Sequence, residues 1–230
     1  MKTNNKFWIL ILVITLSVIN NSEAQVQIGG LQEYVDYANI NISDNRVNNP
    51  YAKFKGSPFL TADFNSGQIK LNNGKTYEGL LRYDIYTDQI EFKTADDNIY
   101  AVENPEVLGK ITINSLQFIS FSEIEGSSLS GIYEVLADGE YLLIEKHKVE
   151  LKDPVAAKPY VEAKPASFST RKSKFFILNL EGEFIEINNK KDLLTLNTQK
   201  SNEVEKFIKK NKIKISKKKD LIKFVDFLNK

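Results

Sequence analysis

The stretch GQIKLNNGKTYEGLLRYDI, residues 67–85, indicates the class of fold. Apolar and polar side chains alternate on both sides of Asn73 and Gly74, and an Asn-Gly pair between two such runs is the strongest short-range signal for a β-hairpin. The runs TDQIEFKT, NIYAV and GKITINSLQFISFS extend the strand pattern, and a further hairpin is expected to turn at Asp138 and Gly139. The sequence therefore predicts an antiparallel β region through the middle of the chain.

Alternation along these strands also predicts which side chains form the core. Phe92 and Phe118 fall on the apolar side of their strands and are expected to be buried. Lys93 and Gln117, their neighbours, are expected to face outward at least in part, because successive strand residues point to opposite faces.

Near the C-terminus the pattern changes from strand to helix. One more hairpin is predicted around Glu181 and Gly182, followed by a short helix over residues 191–196. Two longer helices follow, with Asn202 and Ser216 as their N-caps. Their apolar stripes are Val204, Phe207 and Ile208 on the first, and Leu221, Phe224, Val225 and Leu228 on the second. The predicted fold is α+β, mainly an antiparallel β meander with a C-terminal helical hairpin.

Composition divides the chain into five regions. The connector contains three of the six prolines, and residues before proline are pushed towards extended conformations. The regions are a signal peptide (1–24), a poorly ordered leader (25–52), an antiparallel β region (53–153), a Pro/Ala/Lys connector (154–170), and a β-hairpin with a lysine-rich helical tail (171–230).

The N-terminus has the layout of a secretory signal peptide. Lys2 and Lys6 supply positive charge, thirteen mostly apolar residues follow, and Ser22 and Ala24 are the small residues before a cleavage site at Gln25. Export to the periplasm or the cell exterior is therefore predicted, with no transmembrane segment after cleavage. A retained anchor is the alternative, although the apolar run is short against the roughly 20 residues of a membrane span. The absence of cysteine excludes disulfides, thiolate metal sites and a lipidated cysteine.

Lysine dominates the C-terminal tail. Residues 200–230 contain eleven lysines, four acidic residues and no arginine. The lysines fall beside the apolar stripes, which is typical of helices that bury one side and solvate the other. A solvated face, attraction to the acidic remainder of the chain, and contact with an acidic envelope surface or protein partner all stay open. Nucleic acid is not expected, because export excludes most such partners and the tail contains no arginine, the residue suited to phosphate and base contacts. The candidate surface-contact residues are Lys209, Lys210, Lys217, Lys218 and Lys219.

The sequence indicates little catalytic chemistry. His147 is the only histidine, so neither a zinc site built on histidines nor a Ser-His-Asp triad is predicted, and the polar run EKHKVEL suggests a surface strand residue. Carboxylates are plentiful, but none has a spacing that requires catalysis. No catalytic residue, metal or cofactor is therefore predicted. The candidate ligand face is Tyr77, Arg82, Tyr83 and Tyr86, with ordinary cross-strand aromatic packing as the competing interpretation.

Five strings resemble a family of uncharacterised exported proteins of Bacteroidota. They are KGSPFL (55–60), LLRYDIYTDQIEF (80–92), YEVLADGEYLLIEK (133–146), YVEAKPASF (160–168) and VEKFIKKNKIKISKKKDLIKFVDFLN (204–229). The resemblance implies a location in the cell envelope and the order of β region, connector and lysine-rich tail, but no activity, ligand or catalytic residue. The predicted function is a non-catalytic binding or structural component of the envelope. The alternative is an envelope hydrolase that uses paired carboxylates of the β region.

Overall fold

A computed structural model describes residues 28–30, 51–102, 108–121, 130–157, 159–160, 162–179, 182–196 and 201–230. The predicted signal peptide and most of the predicted leader lie outside the described residues. Within them the chain is α+β and mostly antiparallel sheet, as predicted, with helices in the C-terminal region. No described helix is both long and apolar enough to span a lipid bilayer.

Thirteen strands and three helices are present in the described part of the chain. The strands are β1 (Ile28–Gly30), β2 (Asn65–Leu71), β3 (Thr76–Asp84), β4 (Gln89–Lys93), β5 (Ile99–Ala101), β6 (Leu108–Ile113), β7 (Leu116–Phe121), β8 (Gly131–Ala137), β9 (Tyr141–Lys148), β10 (Leu151–Lys152), β11 (Ser167–Phe168), β12 (Lys172–Asn179) and β13 (Phe184–Glu186). The helices are α1 (Asp192–Thr195), α2 (Ser201–Asn211) and α3 (Lys218–Leu228).

One large sheet contains most of the strands. Its order is β13-β12-β9-β8-β7-β6-β2-β3-β4-β5, with every neighbouring pair antiparallel. The order departs from a simple meander at β2–β6 and at β9–β12, where strands distant in sequence pair. From the predicted leader, β1 lies parallel to the start of β3. From the predicted connector, β11 pairs with β10 as a separate two-stranded sheet.

The local predictions for turns and for the core are confirmed. Strands β2 and β3 pair around the Asn-Gly turn, where Gly74 has φ +88°, a conformation that favours glycine. Phe92 and Phe118 are fully buried. Lys93 is half-buried and Gln117 is exposed, so the strand phases are those the alternation predicts.

Two apolar cores cover the inner side of the sheet. The strand core lies among β2, β3, β4, β6 and β7, and the helix core lies between β9, β12 and the helices. Fully burying one such side chain contributes about 1.5–3 kcal/mol relative to leaving it in water. The most buried members of the strand core are Ile69, Leu81, Ile90, Phe92, Ile111 and Phe118. Those of the helix core are Leu143, Ile177, Leu193, Val204, Ile213, Leu221, Phe224 and Val225.

The helical region is confirmed, whereas the predicted helical hairpin and caps are not. Helices α2 and α3 meet through Phe207, whose ring stacks on Phe227 with centroids 4.0 Å apart. The prediction of Ser216 as an N-cap is wrong, because α3 starts one residue later and its N-cap is Lys217, which makes no side-chain capping bond. Helix α2 already includes Ser201, so Asn202 lies inside the helix.

Candidate functional site

A buried ion cluster lies on the helix-facing side of β8 and β9. Glu145 and His147 are two residues apart on β9 and therefore share a face. Glu134 on β8 lies opposite Glu145 in the pairing of the two strands. The side chains of all three residues are 3–6% exposed. Helix α3 supplies the fourth member of the cluster, Lys218, whose side chain is 40% exposed.

The contacts within the cluster are short. His147 Nε2 lies 2.7 Å from Glu134 Oε2, and His147 Nδ1 lies 3.4 Å from Glu145 Oε1 without forming a hydrogen bond. Lys218 Nζ donates to Glu134 Oε1 at 2.6 Å. It also lies 3.0 Å from Glu145 Oε2, close enough for an ion pair but outside hydrogen-bond alignment. Lys218 thus connects the first turn of α3 to two strands of the sheet.

Electrostatics favours the ionised forms of Glu134 and Lys218. Burial is the largest single influence on the Glu134 carboxyl and acts to raise its pKa, but hydrogen bonds from His147 and Lys218 hold the pKa below its usual value. Burial likewise opposes the charged form of Lys218, while both glutamates raise its pKa. Glu134 is therefore an ionised hydrogen-bond acceptor and is poorly suited to act as a general acid.

The cluster separates the two apolar cores. Along the helix-facing side of β9, Tyr141 and Leu143 belong to the helix core and Val149, just past the strand, belongs to the strand core. Glu145 and His147 lie between them. Buried charges are costly unless paired, so the two buried glutamates depend on partners within this polar layer.

The prediction that His147 is a surface residue is wrong. Its residue exposure is 4%, and its ring lies 6.4 Å from that of Tyr83 in the strand core. The polar neighbours Lys146 and Lys148 suggested exposure, but they occupy the opposite face of the strand. Sequence reasoning also missed Glu134 and Glu145. The available signal was the Glu-x-His spacing on one strand, next to a strand that contains another glutamate.

A second candidate site is a groove of about 450 Å³ beside α1 and α2. We call it the lysine groove. Its apolar floor is formed by Leu194 and Ile208. Among the described residues that line it, the only acidic one is Glu205, which pairs with Lys209 at 2.6 Å. The lysines that line it are Lys190, Lys191, Lys209, Lys212 and Lys214.

The end of α2 creates this groove. After Asn211 the chain takes a left-handed turn at Lys212, with φ +52°, and the amide of Ile213 donates to the carbonyl of Ile208 at 3.1 Å. Ile213 is thereby buried in the helix core. Lys212 and Lys214, on either side of it, are exposed and line the groove.

The structure separates the lysines that the sequence grouped together. Lys209 lines the groove, whereas Lys210, Lys217 and Lys219 are exposed elsewhere on the helical region. Lys218 differs from these because it pairs with Glu134 and Glu145 inside the molecule. Lys218 is therefore attracted to acidic residues of its own chain, which is one of the alternatives that the sequence left open, and its contact with an acidic surface stays a prediction.

The four residues of the predicted ligand face do not share an exposed face. Tyr77 and Tyr83 are buried on the strand-core side of β3. Arg82 points to the other side, pairs with the buried Glu91 at 2.6 Å and lies 3.5 Å from the centre of the Phe59 ring. Tyr86 alone is well exposed, at 42%. Aromatic packing, the competing interpretation, describes this region.

No known family model, curated protein or solved structure matches this chain.

Proposed function

We propose that this chain is an exported cell-envelope protein that acts without catalysis, as a binding component for an acidic partner. The lysine groove is the observation that carries the proposal. Five cationic side chains around an apolar floor attract anions, and the groove lies within the roughly 300–1,000 Å³ typical of ligand pockets. Leu194 and Ile208 favour a ligand that carries an apolar group next to its negative charge.

The alternative, a hydrolase with paired carboxylates, has weaker support. Glu134 and Glu145 face each other, but both are buried and paired with Lys218. Asp84 has a pKa raised mainly by burial, yet its side chain has no contact with solvent. Glycosidases need two carboxyl groups that both reach the substrate, and neither arrangement provides them.

Export and the envelope location are proposed from the signal-peptide layout and from the resemblance to exported proteins. The proposal also includes a helical hairpin over residues 201–230, supported by the ring contacts between Phe207 and Phe227. We expect cells that express the full chain to release a mature protein that begins at Gln25. Intact-mass analysis of the exported fraction tests this, and a product that retains residues 1–24 would contradict it.

A pair of triple variants tests the role of the groove. Replacing Lys191, Lys212 and Lys214 with glutamine removes groove charge, whereas replacing Lys217, Lys219 and Lys223 removes the same charge outside it. Vesicles that contain an anionic phospholipid serve as the acidic probe, and purely zwitterionic vesicles serve as the blank.

We expect only the groove variant to lose retention by the anionic vesicles in a low-salt sedimentation assay. Most wild-type retention should vanish above about 0.5 M salt, because screening shortens the field to a few ångströms. Equal retention of the groove variant and the wild type would contradict the proposal. Equal losses in both variants would show that overall charge matters and the groove does not.

A further inference from the structure

We propose that Glu134, Glu145 and His147 form a binding site for a divalent transition-metal ion, which the ammonium group of Lys218 closes in the structure described here. The site is separate from the lysine groove and does not depend on the proposed function. One ligand atom from each of the three residues lies within 4.8 Å of the others, and all three residues are buried. Modest side-chain shifts can bring such atoms to the roughly 2.0–2.2 Å at which Zn²⁺ is bound.

One ring nitrogen of His147 has no hydrogen-bond partner and can serve as a metal ligand. His147 Nε2 already contacts Glu134 Oε2 at 2.7 Å. Nδ1 is buried and makes no hydrogen bond. A hydrogen on Nδ1 would be a buried donor without a bonded acceptor, which is costly. Nδ1 lies 3.4 Å from Glu145 Oε1, so an ion bound at Nδ1 would also contact Glu145, and the Glu134 carboxylate would turn away from Nε2 to complete the ligand set.

The charges of the cluster favour a divalent cation. Two buried carboxyl groups face the single ammonium group of Lys218, so acidic side chains outnumber the lysine in the cluster. A divalent ion in place of the ammonium would neutralise the two carboxylates. An imidazole nitrogen with two carboxylates is a donor set that suits Zn²⁺ better than Mg²⁺ or Ca²⁺, which prefer oxygen ligands alone.

Lys218 can leave the site without disturbing the core. Its side chain is 40% exposed, whereas those of its two partners are 5–6% exposed, so the lysine covers the open side of the cluster. It is the first residue of α3, and the apolar anchors of that helix, Leu221 and Phe224, are fully buried independently of it. The released ammonium would enter solvent still protonated, and metal binding would not require unfolding.

The single histidine provides a selective readout. The chain, purified without a histidine tag and labelled with ¹⁵N-histidine, should show one imidazole spin system from His147. We expect added Zn²⁺ to shift the Nδ1 resonance and to saturate at about one ion per chain.

Two variants that each remove one positive charge distinguish competition between Lys218 and the metal from an effect of the overall charge. Lys218→Met removes the ammonium from the cluster and should tighten Zn²⁺ binding at least about tenfold, because a nearby positive charge repels the metal. Lys219→Met removes the same charge at an exposed neighbour and should leave the affinity close to wild type. The double variant that combines Lys218→Met with Glu145→Gln should lose this gain in Zn²⁺ affinity. Mg²⁺ should not shift the Nδ1 resonance of any variant.

Far-ultraviolet circular dichroism shows whether each variant is folded. A folded Lys218→Met variant whose Nδ1 resonance does not respond to Zn²⁺ would overturn the proposal and define the cluster as a closed ion network. Equal gains from Lys218→Met and Lys219→Met would also overturn it, because the effect would then be a general one of charge.

Discussion

Asp84 illustrates how a single buried carboxylate shapes the end of a strand. Its side chain is fully buried at the end of β3, and its Oδ1 atom accepts hydrogen bonds from the amides of Tyr86 and Thr87 at 2.9 and 3.1 Å. Burial raises the pKa of Asp84, the hydrogen bond from the Thr87 amide opposes this change, and the charge of Glu91 raises the pKa further. The residue therefore fixes the turn at the expense of stability at neutral pH.

Asp84→Asn should lessen the pH dependence of stability. Because the pKa is raised on folding, the folded chain keeps its proton where the unfolded chain has lost it, so stability falls as pH rises from 3.8 through the folded-state pKa. Asparagine keeps the accepting Oδ1 atom without the charge, so the variant should be at least as stable as wild type at pH 7. Urea unfolding between pH 4 and 8 measures this, with exposed Asp63→Asn as the control. A variant equally destabilised at every pH would contradict it.

Gly131 begins β8 with φ +87°. An added methyl group would overlap Asp88 Oδ2, which also pairs with Lys146 Nζ. Gly131→Ala should therefore cost more than about 1 kcal/mol, since it combines backbone strain with displacement of an ion pair. Gly182 has a similar φ of +82° and open space around it, so Gly182→Ala measures the cost of backbone strain without a steric overlap. Equal losses of unfolding free energy in the two variants would show that Asp88 adjusts freely.

At the level of elements, local signals predicted the hairpins and the helices, but not the pairing between distant strands. Asn73 and Gly74 identify a turn because few residue pairs adopt its conformation. No comparable local signal joins β2 to β6 or β9 to β12, since those pairings depend on how the whole sheet assembles. The helix stripes were predicted well because one buried side imposes a regular spacing.

The ion cluster could not be predicted from local patterns for a similar reason. A two-residue turn at Asp138 and Gly139 would place Glu134 opposite Leu143. Instead Ala137 pairs with Leu143, so the connection is longer than two residues, and a bulge between Val135 and Ala137 changes the register by one residue. Together they place Glu134 opposite Glu145. Lys218 then approaches Glu134 from 84 residues away in sequence. Such a long-range ion pair produces no periodic pattern in the sequence.

Phe118 tests the central strand of the sheet. It is fully buried on β7, in edge-to-face contact with Tyr83 at 5.7 Å. Phe118→Ala should lower the free energy of unfolding by about 3–5 kcal/mol, because truncation removes apolar contacts and leaves a cavity. The neighbouring Gln117 is exposed, and Gln117→Ala should change stability by less than about 0.5 kcal/mol. Denaturant unfolding measures the free energy of unfolding of both variants. Equal losses in the two variants would contradict the assignment of Phe118 to the core.

At the scale of the whole molecule, β8 and β9 link the two apolar cores. Ile132 on β8 packs in the strand core, while Leu143 on β9 packs in the helix core. Between them, the ion cluster joins both strands to α3 through Lys218. If either core lost its contacts with these strands, buried charges or apolar side chains of the other core would be exposed to water.

This sharing predicts that both cores unfold in one transition. Phe118→Ala perturbs the strand core and Phe224→Ala perturbs the helix core, where Phe224 is fully buried. Each variant should lower the temperature of the same single transition, and the calorimetric and van't Hoff enthalpies should agree. Lys223→Ala, an exposed change beside Phe224, is the control and should leave the transition in place. If Phe224→Ala instead produced an early transition while the rest melted as in wild type, the helices would be an independent unit, and the cluster at Glu134, Glu145 and Lys218 would contribute little coupling.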